Sequence, residues 1–265
     1  MSEPQSNYTP SDLRAGAADD APVMSTPQTL AGIFFEPGRT FEALRARPRF
    51  LVAALIIAVT FSVYQVLLIQ RIGGYEAFVR AQIEAAPRTA DLPAEQKEQA
   101  IAMQTRPPFK AIGYLAPIIG VALFVAVGGA LYLLGALLMG KGISYKQAVA
   151  VWVYSGLPPA LVVLVANLLL LFLKSPDDMD IAGASRGLVH ANLGLLVSGT
   201  AHPILATLLG SLDLFRLYGL FLAALGLRKV GRMSPGSAWT VVLLIFLLGV
   251  LLTVGIAAMT GTPMA

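Results

Sequence analysis

The chain is 265 residues long, 56% hydrophobic and only 13% charged, with a mean hydropathy of +0.72 and a formal charge of +4. Soluble domains run at roughly 45–50% apolar and about 25% charged, so a soluble reading is excluded and one compact membrane domain with a tail is the simplest division. The basic residues flank apolar runs instead of forming a stripe with aromatics, which argues against nucleic acid as a partner, and the lack of cysteine excludes disulfides, thiolate metal sites and cysteine nucleophiles.

Residues 1–28 are rich in Ser, Pro, Asp, Ala and Gly with almost no large apolar side chains, so they are predicted to be a disordered tail. They lack the basic start and apolar core of a cleaved signal peptide and are expected to stay on the mature protein. From Thr29 to Arg49, Phe34, Pro37, Phe41 and Leu44 mark two short helical turns. These read either as an interfacial helix pair lying in the membrane surface or as a connector packed on the bundle.

Residues 50–70 supply about 20 mostly apolar positions, enough to cross roughly 30 Å of hydrocarbon, and form the first span. Ala54, Ala58 and Ser62 recur on it at the spacing that lets helices approach closely. Residues 71–110 read as a polar helical loop in which Asp91 is expected to cap AEQKEQAIAMQ. The second span, 111–139, is seamed by Ala122, Ala126 and Ala130. The third, 147–173, carries Pro158 and Pro159, which are expected to kink it for packing more than for ligand binding. After a polar loop, residues 187–201 are too short and glycine-rich to span comfortably and are placed as a surface or re-entrant helix, with a sixth span as the alternative. Spans at 205–227 and 238–259 complete an all-α, polytopic membrane bundle of about five transmembrane helices. Arg39 to Arg49, Lys141, Lys146, Arg228, Lys229 and Arg232 then fall on one side, which puts the amino terminus in the cytoplasm and the carboxyl terminus outside.

The fourth span alone holds full charges, Asp213 and Arg216, three residues apart on one helical face. Ionisable groups in hydrocarbon cost several kcal/mol on most scales, so they face protein or a cavity and are paired. The two residues read either as an intramembrane ion pair or as a break in which Asp213 caps a helix starting at Leu214. An aspartyl protease needs two facing aspartates and only one lies in a span. Ser155 and Ser198 with His190 and His202 lack a nucleophile-elbow pattern, and the histidines with Asp177, Asp178 or Asp180 make a weak metal set. No phosphate-binding loop is present. The expectation is a non-enzyme with no cofactor and no metal.

Three stretches, EPGRTFEALRARPRF, ISYKQAVAVWVYSGLPPAL and LDLFRLYGLFLAALGL, resemble in order and spacing the bacterial branch of the Yip domain family, the Ypt/Rab-interacting membrane proteins. The resemblance runs from about residue 28 to the end and makes 29–265 a Yip-like transmembrane domain of five helices with a cytosolic amino terminus. Eukaryotic members act in vesicle traffic and bind small GTPases, but their Asp-Leu-Tyr-Gly-Pro signature is absent here, so GTPase binding does not carry over. Two functions are expected: a non-enzymatic scaffold or trafficking-like factor of the cell (inner) membrane, binding lipids, protein partners or a second copy, or a small transporter or channel whose path is lined by Asp213, Arg216, Asn167 and Gln65. A path needs several polar residues converging on one cavity, whereas a scaffold needs only one buried pair, which favours the scaffold.

Overall fold

A computed structural model describes residues 23–86, 89, 92–179, 181–185, 187–189, 191–199 and 201–264. Most of the expected tail, the Asp91 cap and His190 lie outside the described residues. Helix α1 (Thr26–Phe35) begins three residues before the expected tail boundary, because Ser25 and Gln28 form a reciprocal capping box and Pro27 suits the first turn. Helix α2 (Pro37–Ala46) turns back on it and buries Thr40, Phe41, Ala43 and Leu44.

Helix α3 (Leu51–Arg71) leads to two short polar-faced helices, α4 (Tyr75–Ala85) and α5 (Ala94–Gln104). These pack on each other around Val79, Ile83 and Ile101, and Arg80 of α4 is held by the carboxylate of Glu98 on α5. The long helices α6 (Pro107–Leu138) and α7 (Tyr145–Leu173) follow, the second opened by a capping box between Ser144 and Gln147. After a single-turn helix α8 (Ile181–Ala184) come α9 (Pro203–Gly210), α10 (Leu214–Gly231) and α11 (Pro235–Thr260). Among the described residues no named strand occurs, only an isolated bridge between Asn192 and Asp213.

Helices α3, α6, α7 and α11 are long and apolar enough to cross a membrane. Helix α10 packs between α7 and α11; its 18 residues reach about 27 Å, close to the roughly 30 Å of a bilayer core. Contacts distant in sequence fix two ends of the bundle. At one end, Gln147 donates to the Arg45 carbonyl at 2.7 Å and Lys229 meets Glu42 at 2.5 Å. At the other, Arg71 donates to the Leu171 carbonyl at 2.8 Å, Tyr64 to the Ala184 carbonyl at 2.7 Å, and the Met264 amide to Thr207 at 2.9 Å. We call the first the basic end, since Arg39, Arg45, Arg47, Arg49, Lys141, Lys146, Arg228, Lys229 and Arg232 lie in the helix ends and turns that meet there. Its core joins Ile33, Phe41 and Leu44 to Val151, Tyr154, Leu227 and Val230.

Two expectations are revised. The run 205–227, expected as one span, is two helices broken at residues 211–213. Gly210 has low helix propensity, and Asp213 gains more as a cap than within a helix. Among the described residues of 187–201 there is neither a span nor a re-entrant helix: a single 3-10 turn at Leu193–Leu196 is flanked by Asn192 and Val197 in extended conformation, and Asn192, Gly194 and Gly199 disfavour helix. Pro158 and Pro159 lie inside the single helix α7, where their rings deprive carbonyls one turn earlier, those of Tyr154 and Ser155, of their helical donors.

Candidate functional site

A cavity of about 500 Å³ lies between α6, α7, α10 and α11, reached by Phe61 of α3. It exists because small residues stand where helices would otherwise close. Gly156 on α7 faces open space, Gly219 on α10 lies opposite the Ser155 carbonyl and Pro159, and Gly249 on α11 leaves room for the Arg216 guanidinium. Gly128 on α6 is overlain by the Trp152 indole, which also stacks edge-on to Tyr132 with ring centres 4.9 Å apart. The rim is built of Phe61, Phe124, Val127, Leu248 and Leu252, all more than half exposed, so the cavity opens sideways, between the helices, into the hydrocarbon layer.

Almost every wall is carbon. The Ser155 hydroxyl is turned back to donate to the Trp152 carbonyl at 2.9 Å, as a hydroxyl in an apolar helix commonly does. The Trp152 indole N–H is buried without an acceptor. Arg216 is the one full charge on the lining. Its guanidinium lies 5.0 Å from the centre of the Phe246 ring, a cation–π contact worth about 0.5–2 kcal/mol. It sits 15 residues from Gly231, hence about 22 Å from the basic end of α10.

Asp213 does something else. Its Oδ1 accepts from the amides of Phe215 at 2.9 Å and Arg216 at 3.1 Å, the geometry of a helix cap, with extended backbone at φ −92° and ψ 136°. Among the described residues no carboxylate lies within ion-pair distance of the Arg216 guanidinium. The two expected path residues on other helices are also occupied elsewhere. Asn167 is buried and accepts from the amides of Leu188 and Val189, holding the 187–197 segment onto α7, while Gln65 donates to the Gly113 carbonyl at 3.0 Å. Of the four residues expected to line a path, only Arg216 reaches the cavity.

Pro158 is buried in the core and Pro159 lines the cavity. In the helix pair, Phe41 and Leu44 are fully buried against α7 and α10, whereas Phe34 is partly and Phe35 almost wholly exposed. Pro37 opens α2. The buried half of the pair is thus packed on the bundle, while Phe34 and Phe35 are left exposed on its outer side. Ser198, His202 and the loop acids form no group that could hold a metal among the described residues. Trp152, Gly156, Gly219, Phe246 and Gly249 were not singled out as site residues beforehand; each is unremarkable in its own helix, and only their convergence from three helices makes a site.

The sequence model of the Yip1 domain matches residues 31–258. No curated protein and no solved structure matches the chain.

Proposed function

The chain belongs to the Yip1 domain family, and from that premise we propose that it is a non-enzymatic scaffold or trafficking-like factor of the cell (inner) membrane whose cavity holds lipid or an apolar partner segment. The observation that carries this reading is the wall of the cavity: carbon on all sides, one cation, and a rim facing hydrocarbon. A solute path needs several polar groups in sequence across the layer, and Asn167, Gln65 and Asp213 are each engaged away from it. The basic end faces the cytoplasm, with five crossings that leave the carboxyl terminus outside; the nine Lys and Arg gathered there against Glu36 and Glu42 support this orientation.

Vesicles reconstituted with the purified protein test the reading. Ion and small-solute leak equal to that of protein-free vesicles is expected. A protein-dependent flux that Arg216→Gln or Gly156→Leu abolishes would overturn it in favour of a transporter.

A further inference from the structure

We propose that the cavity is a binding site for an anionic phospholipid, which lays one acyl chain between α6, α7 and α11 and brings its phosphate to Arg216. The proposal rests on the scaffold reading and names the class of lipid that this cavity takes.

Three observations converge. First, the rim residues are large, apolar and exposed, and the opening lies part-way across the layer, where the surrounding medium is acyl chain rather than water. A volume of about 500 Å³ is in the range of small-molecule sites, and among the described residues no side chain fills it. Second, Arg216 is under-compensated. A guanidinium loses its hydration on entering the hydrocarbon, and one cation–π contact restores only part of it. The nearest acid, Asp213, has committed Oδ1 to the helix cap, so an anion reaching Arg216 from the cavity side meets a free donor fork. Third, the depth suits a headgroup. Arg216 lies within the first turn of α10, two residues or about 3 Å from its end at Leu214, and its long stem can bend toward the interface where lipid phosphates sit. A partner helix would satisfy the apolar wall equally but would need an acid placed at this depth, itself costly in hydrocarbon; a phospholipid carries its anion at the interface already.

The chain holds two tryptophans, Trp152 on the cavity wall and Trp239 near the basic end of α11, so Trp239→Phe leaves a single indole reporting on the cavity. The full chain carrying that change is placed in phosphatidylcholine vesicles containing either brominated phosphatidylglycerol or brominated phosphatidylcholine at the same mole fraction. Quenching of Trp152 should be stronger with the anionic lipid. Arg216→Gln should abolish that preference and Arg216→Lys should keep it. Gly156→Leu, which fills the cavity from a position whose Cβ meets nothing within 4 Å, should reduce quenching by both lipids without lowering thermal stability. Equal quenching by the two lipids, a preference that survives Arg216→Gln, or quenching insensitive to Gly156→Leu would each overturn the proposal. Any of these results leaves the flux measurement unaffected, so loss of the lipid site and loss of the scaffold reading are told apart.

Discussion

Asp213→Ala removes the acceptor that holds the Phe215 and Arg216 amides at 2.9 and 3.1 Å. Loss of a helix cap costs about 0.5–2 kcal/mol, and that range applies here, where the Phe215 amide is part-buried and the Arg216 amide exposed. Breaking a buried ion pair would instead cost about 3–5 kcal/mol by stranding a charge. The two accounts also differ on the partner. If Asp213 acts as a cap, Asp213→Asn stays within about 0.5 kcal/mol of the parent, since Asn and Asp cap equally well. Arg216→Leu then loses a cation–π contact worth about 0.5–2 kcal/mol but relieves a charge costing at least about 2.5 kcal/mol in hydrocarbon, so it is neutral or stabilising. A thermal-shift cycle in detergent over Asp213→Ala, Arg216→Leu and the double variant measures the coupling. Additivity within roughly 0.3–0.5 kcal/mol is expected. An interaction energy above about 1.5 kcal/mol would refute the capping account and restore the ion pair.

Gly128→Ala should destabilise by about 1–3 kcal/mol in the same assay, because the new methyl falls inside the Trp152 ring. Glu42→Gln should cost less than about 1 kcal/mol, since its link to Lys229 is a third or more exposed on both sides and is screened by solvent and salt. Glu98 is held below the usual carboxylate range, first by its hydrogen bond from Arg80, so its contribution is present above its unfolded pKa and is lost as pH falls through the lowered folded value. The protection of the α5 amides against hydrogen exchange, taken relative to the intrinsic exchange rate at each pH, should therefore fall as the solution is acidified below the usual glutamate range, and Glu98→Gln should remove that dependence. A carboxyl-terminal phosphatase fusion should be active outside the cytoplasm; a fluorescent fusion bright in the cytoplasm would exclude five crossings.

The long helices were legible because apolar runs of 20 or more residues have no soluble alternative, and their starts were set by local chemistry such as Ser25 with Gln28 and Ser144 with Gln147. The break before Leu214 was half legible: Asp213 suits a cap and a pair equally until neighbouring backbone shows which donors it meets. The 187–199 segment misled because its apolar composition resembles a helix, whereas its form is set by tertiary bonds from Asn167 and by Asn192, Gly194 and Gly199. The cavity was not legible at all. It depends on Gly156, Gly219 and Gly249 on three helices falling at one depth, and no pattern within a single helix records that register.

The clasp formed by α2 has a consequence for how the chain is made. Glu42 and Lys229 are 187 residues apart, and at about 5–20 residues per second a ribosome needs roughly 10–40 s to supply the second after the first. For that interval Ile33, Phe41 and Leu44 are synthesised but have no α10 to cover them. The bilayer surface is the shelter within reach, next to the first span and beside Phe34 and Phe35, which stay exposed in the finished fold. The amino-terminal helices are then expected to be surface-bound in the nascent protein and are bundle-bound in the finished fold. A chain halted before α10 should leave them accessible to lipid-soluble labels that the complete protein excludes.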